Sequence, residues 1–373
     1  MIKLCFLGDA ITHHLRRWSK YFSNLGYEVH IITFNPKFLP NYEPVKIHVL
    51  RKPIPKQNLL YGALNAIFLV LKTQHMLKQI QPHLVHCHDA GGYSWIAMLT
   101  GFHPLIVSTQ GSDILIHAKS SKIKRVFTSW GLKNADLIHC DGYRMRDEIM
   151  KLGADHNKIK IVFFGTDVTK FRPWDNKDQL KKENNLSGNI VISTRRLDPV
   201  HNIETLIKSI RLVLESVPDT KFIIAGSGTE REYLINLSKS LGVYDSIRFL
   251  GMIEEDEMIK SLQFSDVYVA TSLSESGIAA SAAEAMACEL PVINTDTGDI
   301  RLWIKDGENG FVIPPKTPEV VAEKMIYLLR NKEKRIEFGK INRKIIEERN
   351  NYHIEMAKME NIYKKLISSN HEI

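Results

Sequence analysis

Short apolar runs alternate with segments of helical periodicity along the whole 373-residue chain. The runs are hydrophobic at nearly every position, which is typical of strands buried on both faces of a parallel sheet. Apolar positions three and four residues apart mark the segments between them as helices. The predicted strands are 3–7, 28–33, 84–87, 105–108, 137–140, 159–163, 190–193, 222–225, 247–250, 267–271 and 292–294, and the predicted helices include 16–25, 62–80, 202–216, 230–241, 255–263, 281–288 and 318–331. This alternation predicts an α/β protein.

A compositional break divides the chain into two halves. Residues 169–189 are rich in Lys, Asp and Asn and contain Pro173 near their start, so we interpret them as an interdomain linker. Each half is then a doubly wound, Rossmann-like domain, at 1–170 and 171–350, with a ligand in the cleft between the strand carboxyl ends. Apolar residues at helical spacing in 352–369 predict a C-terminal amphipathic helix within 351–373.

Charge is unevenly distributed between the halves. Residues 1–170 contain 22 Lys and Arg against 11 Asp and Glu, whereas the whole chain carries a formal charge of +8. A basic first half is expected either to be a solvated surface or to attract an anionic acceptor or lipid surface. The apolar stretch 59–71, between Lys56 and Lys72, is too short to span a membrane but suits a monotopic contact.

The cysteines and the first residues of the sequence indicate the cellular compartment of the protein. Four scattered cysteines form no CxxC pair, and the first residues read as a strand and not as a signal peptide. We therefore expect reduced thiols and a cytoplasmic protein, associated peripherally with the inner face of the cell membrane if the monotopic contact forms. No nucleic-acid partner is expected.

The most informative segment is 274–293, where an acidic loop of small residues enters a helix carrying a second carboxylate, Glu284. Backbone N–H groups at a helix N-terminus can bind phosphate, and a nearby carboxylate can accept hydrogen bonds from sugar hydroxyls. The alternatives are a capping box of Ser281 with Glu284 and a merely exposed loop acid at Glu275. Small residues allow close backbone approach and favour a nucleotide-sugar site. The donor-binding residues assigned here are Glu275, Ser276, Gly277, Ile278, Ala279 and Glu284.

Two further strand ends in the second half are candidates for the same site. Arg195 and Arg196 follow the strand 190–193 and can pair with a diphosphate, although a solvated arginine pair is the alternative. Gly226 begins a Gly-Ser-Gly turn that lacks the full GxGxxG pattern, so a tight structural turn is the alternative there. The chain contains no GxxxxGK[ST] motif, which disfavours an ATP-hydrolysing P-loop.

Polar clusters also follow three strands of the first half. An anion or sugar could dock at Gly8-Asp9 and His14, although Asp9 or Thr12 capping the first helix is equally simple. His83, His86, His88 and Asp89 suggest a metal, but without a second ligand cluster we assign them to polar lining of the cleft. Gln110 and Asp113 suit the facing wall, with an Asx-type turn as the alternative. The acceptor-side residues assigned are Asp9, His14, His88 and Gln110.

Several motifs in a fixed order make the chain similar to the retaining glycosyltransferases of family 4, the group 1 glycosyltransferases. The resemblance covers nearly the whole chain, and its motifs are Phe164-Gly165-Thr166-Asp167 with Phe171 and Pro173, Arg196, Phe249-Leu250-Gly251, Glu284-Ala285-Met286-Ala287 and 306–311. It implies two Rossmann-like domains facing a central cleft, the GT-B architecture, with the C-terminal helix crossing back to the first domain. The first domain would bind the acceptor and the second the nucleotide sugar.

The resemblance also assigns roles in the donor site. Glu284 would hold the ribose, Arg196 the diphosphate, and the backbone near Leu250 and Met252 the base, while the loop 275–280 would meet the sugar and phosphates. Gly8, Arg195, His201 and Gly226 complete the expected donor set, and Arg196, Glu275 and Asp113 are the expected catalytic residues. No metal and no cofactor are expected, the donor being a substrate.

Three positions depart from the family pattern. The first loop acid is Glu275, one position early, with Ser276 in its place; His201 stands for the expected lysine; and Gln110 stands for a frequent histidine. The predicted function is transfer of a hexose-like sugar from a nucleoside-diphosphate donor such as a UDP-sugar to a hydroxyl of a polysaccharide or lipid-linked glycan, with retention. A nucleotide-sugar 2-epimerase and a non-catalytic sugar-nucleotide-binding subunit are the alternatives. An NAD-dependent oxidoreductase is disfavoured because neither half has the glycine fingerprint.

Overall fold

The computed structural model describes residues 1–36, 42–51 and 59–369, and the side chains of the helix that begins at Leu59 are described from residue 63. The chain forms two compact units. Unit 1 contains Met1–Phe164 and Glu355–Ile373, and unit 2 contains Gly165–Ile354. These divisions lie close to the predicted boundaries at 170 and 350.

Unit 1 is built on a seven-stranded parallel sheet in the order β3-β2-β1-β4-β5-β6-β7. Apolar side chains on both sheet faces, including those of β1 and β5, are buried beneath the helices. The strands are β1 Lys3–Leu7, β2 Glu28–Thr33, β3 Lys46–Val49, β4 Leu84–Cys87, β5 Leu105–Ser108, β6 Leu137–Cys140 and β7 Ile159–Ile161. The helices are α1 His13–Asn24, α2 Leu59–Ile80, α3 Gly92–Leu99, α4 Lys122–Asn134 and α5 Tyr143–Lys151.

Unit 2 has a six-stranded parallel sheet in the order β10-β9-β8-β11-β12-β13. Its core consists mainly of Ile, Val and Leu side chains from the strands and from the helices that follow them. The strands are β8 Asn189–Ser193, β9 Thr220–Ala225, β10 Ile247–Gly251, β11 Val267–Ala270, β12 Val292–Thr295 and β13 Gly310–Ile313. The helices are α6 Lys177–Glu183, α7 Ile203–Ser216, α8 Arg231–Ser240, α9 Glu255–Phe264, α10 Ala280–Ala287, α11 Pro318–Arg330 and α12 Lys332–Arg349, and the last described helix is α13 Tyr352–Ser369.

The C-terminal helix α13 begins in unit 2 and continues in unit 1, where it packs as predicted. Tyr363 stacks on Phe22 with ring centroids 4.7 Å apart, and Tyr27 Oη donates a hydrogen bond to Glu360 (2.8 Å). The buried Glu355 carboxylate accepts a hydrogen bond from the Phe163 backbone N–H (2.9 Å). These contacts make the end of the chain an integral part of unit 1.

The predicted linker at 169–189 is wrong. The segment contains α6, buries Leu180 and Leu186, and forms an ion pair between Lys181 and Asp266 (2.7 Å). Its polar composition reflects the exposed face of a short helix, while the apolar residues between the charges pack into unit 2. The sequence patterns also missed the edge strands β3 and β13.

None of the four cysteines forms a disulfide, and all four are buried. Among the described residues, no helix has the length and apolar character needed to cross a membrane.

Candidate functional site

The strand order of unit 2 reverses between the neighbouring strands β8 and β11. In a doubly wound sheet the connections leave such a pair in opposite directions and open a crevice at the carboxyl ends. The loop after β8 carries 194–202, and the loop after β11 carries 271–279 and leads into α10. The predicted donor residues of the first loop therefore lie at the same edge of the sheet as those of the second loop and Glu284 of α10.

Arg195 joins these segments. Its guanidinium forms an ion pair with Glu275 and donates hydrogen bonds to Ser281 Oγ (3.1 Å) and His201 Nδ1 (3.0 Å). The side chains of Arg195 and Glu275 are only 11% and 16% exposed. Because this pair is shielded from water, the loss of either partner would leave a buried, unpaired charge and strongly destabilise the fold. Each residue therefore holds the other in place. No local sequence pattern indicates this pairing, because the partners are 80 residues apart.

His201 presents a neutral donor at this site. Burial, with the nearby Arg195 and Arg196, lowers its pKa to about 4, so the imidazole is uncharged near pH 7. Arginine has only donors, so His201 Nδ1 accepts and the proton of the ring sits on Nε2. The histidine standing for the expected lysine therefore supplies an N–H and no charge, while the adjacent Arg195 supplies the charge.

Arg196 lies on the outside of the same loop. Its side chain is 74% exposed, and its Nε donates a hydrogen bond to Asp198 Oδ2 (2.8 Å). Asp198 is held in turn by the Thr229 backbone N–H (2.9 Å). The two arginines are thus in different environments, one buried in an ion pair and one accessible at the surface. That Arg196 binds a diphosphate stays a prediction.

The capping-box alternative at α10 is wrong. The helix begins at Ala280 with Ala279 as its N-cap, and no side chain caps it. Ser281 is the second residue of the helix, and its Oγ accepts a hydrogen bond from Tyr268 Oη (2.7 Å) as well as from Arg195. Glu284 is half-buried on the same helix. Ser281 therefore anchors Arg195 and does not close the helix end.

In the loop after β11, Gly277 lies against the loop after β12. The Gly277 carbonyl accepts a hydrogen bond from the Asp299 backbone N–H (3.4 Å), in the loop after β12. Gly277 and Ala279 are buried, whereas Ser276 and Ile278 are half-buried. The sequence analysis explained the small residues by close approach of a ligand to the backbone. In the structure, a neighbouring loop approaches the backbone at Gly277.

The other predicted donor residues of unit 2 line the ends of β9 and β10. A Cβ at Gly226 would overlap the Arg195 carbonyl, and the Gly226 N–H donates to the Gly251 carbonyl (2.7 Å). The tight-turn alternative therefore accounts for Gly226. Leu250 is half-buried, and Met252 is highly exposed.

The corresponding edge of unit 1 lies at the ends of β1 and β4. Gly8 is buried, and a Cβ there would lie 3.0 Å from Leu15 Cδ2 and 3.2 Å from His88 Cβ, so packing explains this glycine. The Asp9 carboxylate accepts hydrogen bonds from the Ile11 N–H (3.2 Å) and Asn35 Nδ2 (3.1 Å). Thr12 is the N-cap residue of α1, as the alternative named, but its side chain makes no capping hydrogen bond, and its Oγ1 donates to the Asp9 carbonyl (2.9 Å).

His88 is buried with both ring nitrogens free of hydrogen-bond partners among the residues the structure describes. It is 6% exposed and packs edge-on against Trp18 (ring centroids 5.0 Å apart) and Phe6 (5.4 Å). Burial and neighbouring histidines lower its pKa well below the usual value. It is therefore a neutral imidazole with one donor and one acceptor. Gln110 Nε2, at the end of β5, likewise has no partner within the described ranges.

A buried hydrogen-bond chain that the sequence did not reveal runs beneath this edge. His139 Nε2 donates to the Val162 carbonyl (2.8 Å), so its Nδ1 accepts from Ser108 Oγ (2.6 Å). Ser108 accepts in turn from His86 Nε2 (2.6 Å), and His86 Nδ1 accepts from Tyr363 Oη (2.5 Å). Both ring nitrogens of His86 have hydrogen-bond partners in this arrangement. Over the described residues, no group of three His, Cys, Asp or Glu side chains is arranged to hold a metal.

His14 lies at the start of α1, close to this cluster. Its ring stacks on Phe164 with centroids 4.1 Å apart. Burial, followed by the neighbouring His13 and Arg17, lowers its pKa to about 3. It is therefore uncharged near neutral pH, like the other histidines of this edge.

Asp113 is a positioning residue and not a catalytic one. It is 3% exposed, and its carboxylate accepts backbone hydrogen bonds from Ala90 (2.9 Å), Gln110 (3.0 Å) and Ile114 (2.9 Å). Burial, with the nearby Asp89, raises its pKa to about 6. Its carboxylate ties the end of β5 to the loop after β4, and the catalytic assignment is withdrawn. The Asx-turn alternative is wrong as well, because the Leu115 N–H bonds to the Gly111 carbonyl (2.8 Å) and not to Asp113.

Comparisons with known proteins agree with this geometry. Residues 174–345 match the family model described as "Glycosyl transferases group 1", and residues 3–142 match "Glycosyl transferase 4-like". N-acetyl-alpha-D-glucosaminyl L-malate synthase of Bacillus anthracis is 24% identical over 352 residues, which are 92% of this chain and 91% of that protein. Sucrose-phosphate synthase of Thermosynechococcus elongatus superposes with a TM-score of 0.85 at 16% identity, covering 99% of this chain and 100% of that chain. Anabaena HepE, solved with UDP and glucose, superposes with a TM-score of 0.81 at 16% identity, covering 98% and 100%.

Proposed function

Since the chain belongs to the group 1 glycosyltransferases and has a GT-B fold, we propose that it transfers a sugar from a nucleoside-diphosphate sugar to a hydroxyl of a glycan or lipid-linked acceptor, with retention and without a metal. The observation that carries the proposal is the Arg195 cluster, in which one guanidinium binds residues from three segments at the switch point of unit 2. A UDP-sugar is the proposed donor, because the similarly folded HepE was solved with UDP and glucose.

The donor side of the reaction is assigned to unit 2. The main barrier is charge separation as the diphosphate departs, and preorganised positive groups lower such barriers. Arg196 is the accessible cation, Arg195 holds the loop of Glu275 in place, and His201 Nε2–H offers a neutral hydrogen bond. Glu275 is assigned to the sugar hydroxyls and Glu284 to the ribose. The backbone near Leu250 and Met252 is assigned to the base.

The acceptor side is assigned to unit 1. A neutral imidazole at His88 and the amide of Gln110 are groups able to hydrogen-bond a hydroxyl without adding charge. Asp9 and His14 lie at the end of β1 and the start of α1 and complete the proposed acceptor set. In a same-face transfer the departing phosphate oxygen takes the proton of the acceptor hydroxyl as the new glycosidic bond forms. That route needs no enzyme nucleophile, and none is assigned.

A donor panel tests the proposal. The protein is first analysed by mass spectrometry for a co-purifying nucleotide and is then incubated with UDP-, GDP- and ADP-sugars, with and without a glycan acceptor panel and a chelator. The expected result is acceptor-dependent product that retains the donor's anomeric configuration and is insensitive to chelation. An epimerised donor without any acceptor would indicate the 2-epimerase, and tight donor binding without turnover would indicate a non-catalytic subunit.

A further inference from the structure

Helix α4 carries an apolar stripe that the described part of unit 1 leaves largely exposed. Ile123, Val126, Phe127 and Trp130 have the spacing i, i+3, i+4, i+7, which places them on one helix face. All four are exposed, Ile123 at 71% and Val126 at 66%. A surface helix of a globular protein normally turns such a stripe toward the core.

The opposite face of α4 is already the packed one. Thr128, Gly131 and Leu132 are buried, and α4 contacts α3. Phe127 at the rim of the stripe contacts Trp95 of α3, with ring centroids 5.2 Å apart. The helix is therefore anchored to unit 1 through one face, and the stripe is a second apolar face.

The segment that carries the stripe has basic residues and no acidic ones. The 22 residues 114–135 contain no Asp or Glu, and their basic residues are Lys119, Lys122, Lys124, Arg125 and Lys133. Lys119 forms an ion pair with Glu148 of α5 (2.6 Å). Together with the apolar stripe, these cations form what we call the α4 face.

We propose that the α4 face binds the surface of an anionic lipid bilayer. Aliphatic side chains with a Trp on one side and lysines beside them suit a helix lying in the headgroup region, with the basic residues attracted to lipid phosphates. A second copy of this chain is a poorer occupant, because an isologous contact would bring two sets of like charges together.

A neighbouring helix offers a second stripe of the same kind. Leu64, Ile67 and Leu71 of α2 are exposed at the spacing i, i+3, i+7, in the stretch that the sequence marked for a monotopic contact. Helix α3 contacts both α2 and α4. Membrane binding does not depend on the proposed sugar transfer, so the two proposals can fail separately.

Vesicle co-sedimentation of the full chain tests the proposal. The probes are vesicles of phosphatidylcholine alone and vesicles containing about one third phosphatidylglycerol. We expect binding only to the anionic vesicles, weakened by salt because the Debye length shortens. The double variant with Ile123→Glu and Val126→Glu should have a partition coefficient about tenfold lower. The matched control, Leu302→Glu with Ile336→Glu, replaces two exposed apolar residues of unit 2 and should bind as the unaltered protein does.

A charge variant separates the two contributions. Replacing Lys122, Lys124 and Arg125 by Gln should lower the affinity for anionic vesicles by roughly 100-fold in total. Hydrolysis of the identified donor by either α4 variant should be unchanged, which shows that the catalytic machinery is intact.

Three outcomes would overturn the proposal. The first is failure of the unaltered protein to sediment with anionic vesicles, and the second is equal loss of binding in the α4 and control variants. The third is self-association or capture of an acidic protein that depends on Ile123 and Val126 while vesicle binding is absent. That result would assign the α4 face to a protein partner.

Discussion

The carboxyl edges of the two sheets are topologically alike and chemically opposite. Unit 2 places an ion pair, Arg195 with Glu275, at its switch point and leaves Arg196 accessible nearby. Unit 1 places three neutral histidines at or beneath its own, beside the Asp9 carboxylate, since burial lowers the pKa of His86, His88 and His139. One edge suits an anion whose charge grows during reaction, and the other suits a hydroxyl. The difference lies in the strand-end residues and not in the fold, as expected for function grafted onto a common scaffold.

The largest expected effect comes from breaking the charged edge. Arg195→Met leaves the Glu275 carboxylate buried and unpaired, and we expect the free energy of unfolding to fall by about 3 kcal/mol. Urea unfolding measures it. Adding Glu275→Gln to Arg195→Met should recover most of the loss, because the uncompensated charge is gone. If the double variant were as unstable as the sum of the two single variants, the pair would not be the stabilising unit.

Arg196→Ala tests the accessible cation. Loss of a charge-assisted contact to the leaving diphosphate should lower kcat by roughly 100-fold, with stability almost unchanged because the side chain is exposed. Arg211→Ala is the matched control, since Arg211 is similarly exposed and also forms an ion pair, with Glu215 on α7. Steady-state kinetics with the identified donor measures the change. Equal activity of both variants would remove the diphosphate assignment from Arg196.

The neutral edge should make the protein sensitive to acid. The pKa of His139 is about 4 in the folded protein against about 6.5 when unfolded. The unfolded chain therefore binds more protons between these values, and stability is lost as pH falls through this window. From His139 alone, going from about pH 7.5 to about pH 5 should cost about 2 kcal/mol.

Chemical denaturation of the unaltered protein and of His139→Gln at both pH values measures this loss. His139→Gln should flatten the pH dependence whatever its effect on overall stability. A slope unaffected by His139→Gln would contradict the assignment of a neutral, buried imidazole.

Sequence patterns predicted the fold and the segments that meet at the candidate donor site. Strand ends can be read from apolar runs, so the amino-acid sequence alone assigns 195–201 and 275–284 to one site. Pairings across long separations leave no local pattern, and so Arg195 with Glu275 and Tyr363 with His86 were missed. Local polar signals were misleading in three places. They suggested a linker at 169–189, a capping box at Ser281 and catalysis at Asp113. In the structure, tertiary packing gives each of them a different role.

The smallest expected effect concerns His88, where a functional and a structural role predict opposite changes. His88→Phe keeps a ring of similar size and removes two nitrogens that have no hydrogen-bond partner among the described residues. Replacing an unsatisfied buried polar group by an apolar one is neutral or stabilising, so the Tm should stay level or rise. If His88 orients the acceptor hydroxyl, the KM for the acceptor should rise by about fivefold at unchanged donor hydrolysis, since one hydrogen bond is worth about 1 kcal/mol. The exposed His75→Phe should change neither quantity. A fall in Tm with unaltered acceptor KM would show that the His88 nitrogens serve the fold, and the contrast between the two edges would then rest on unit 2 alone.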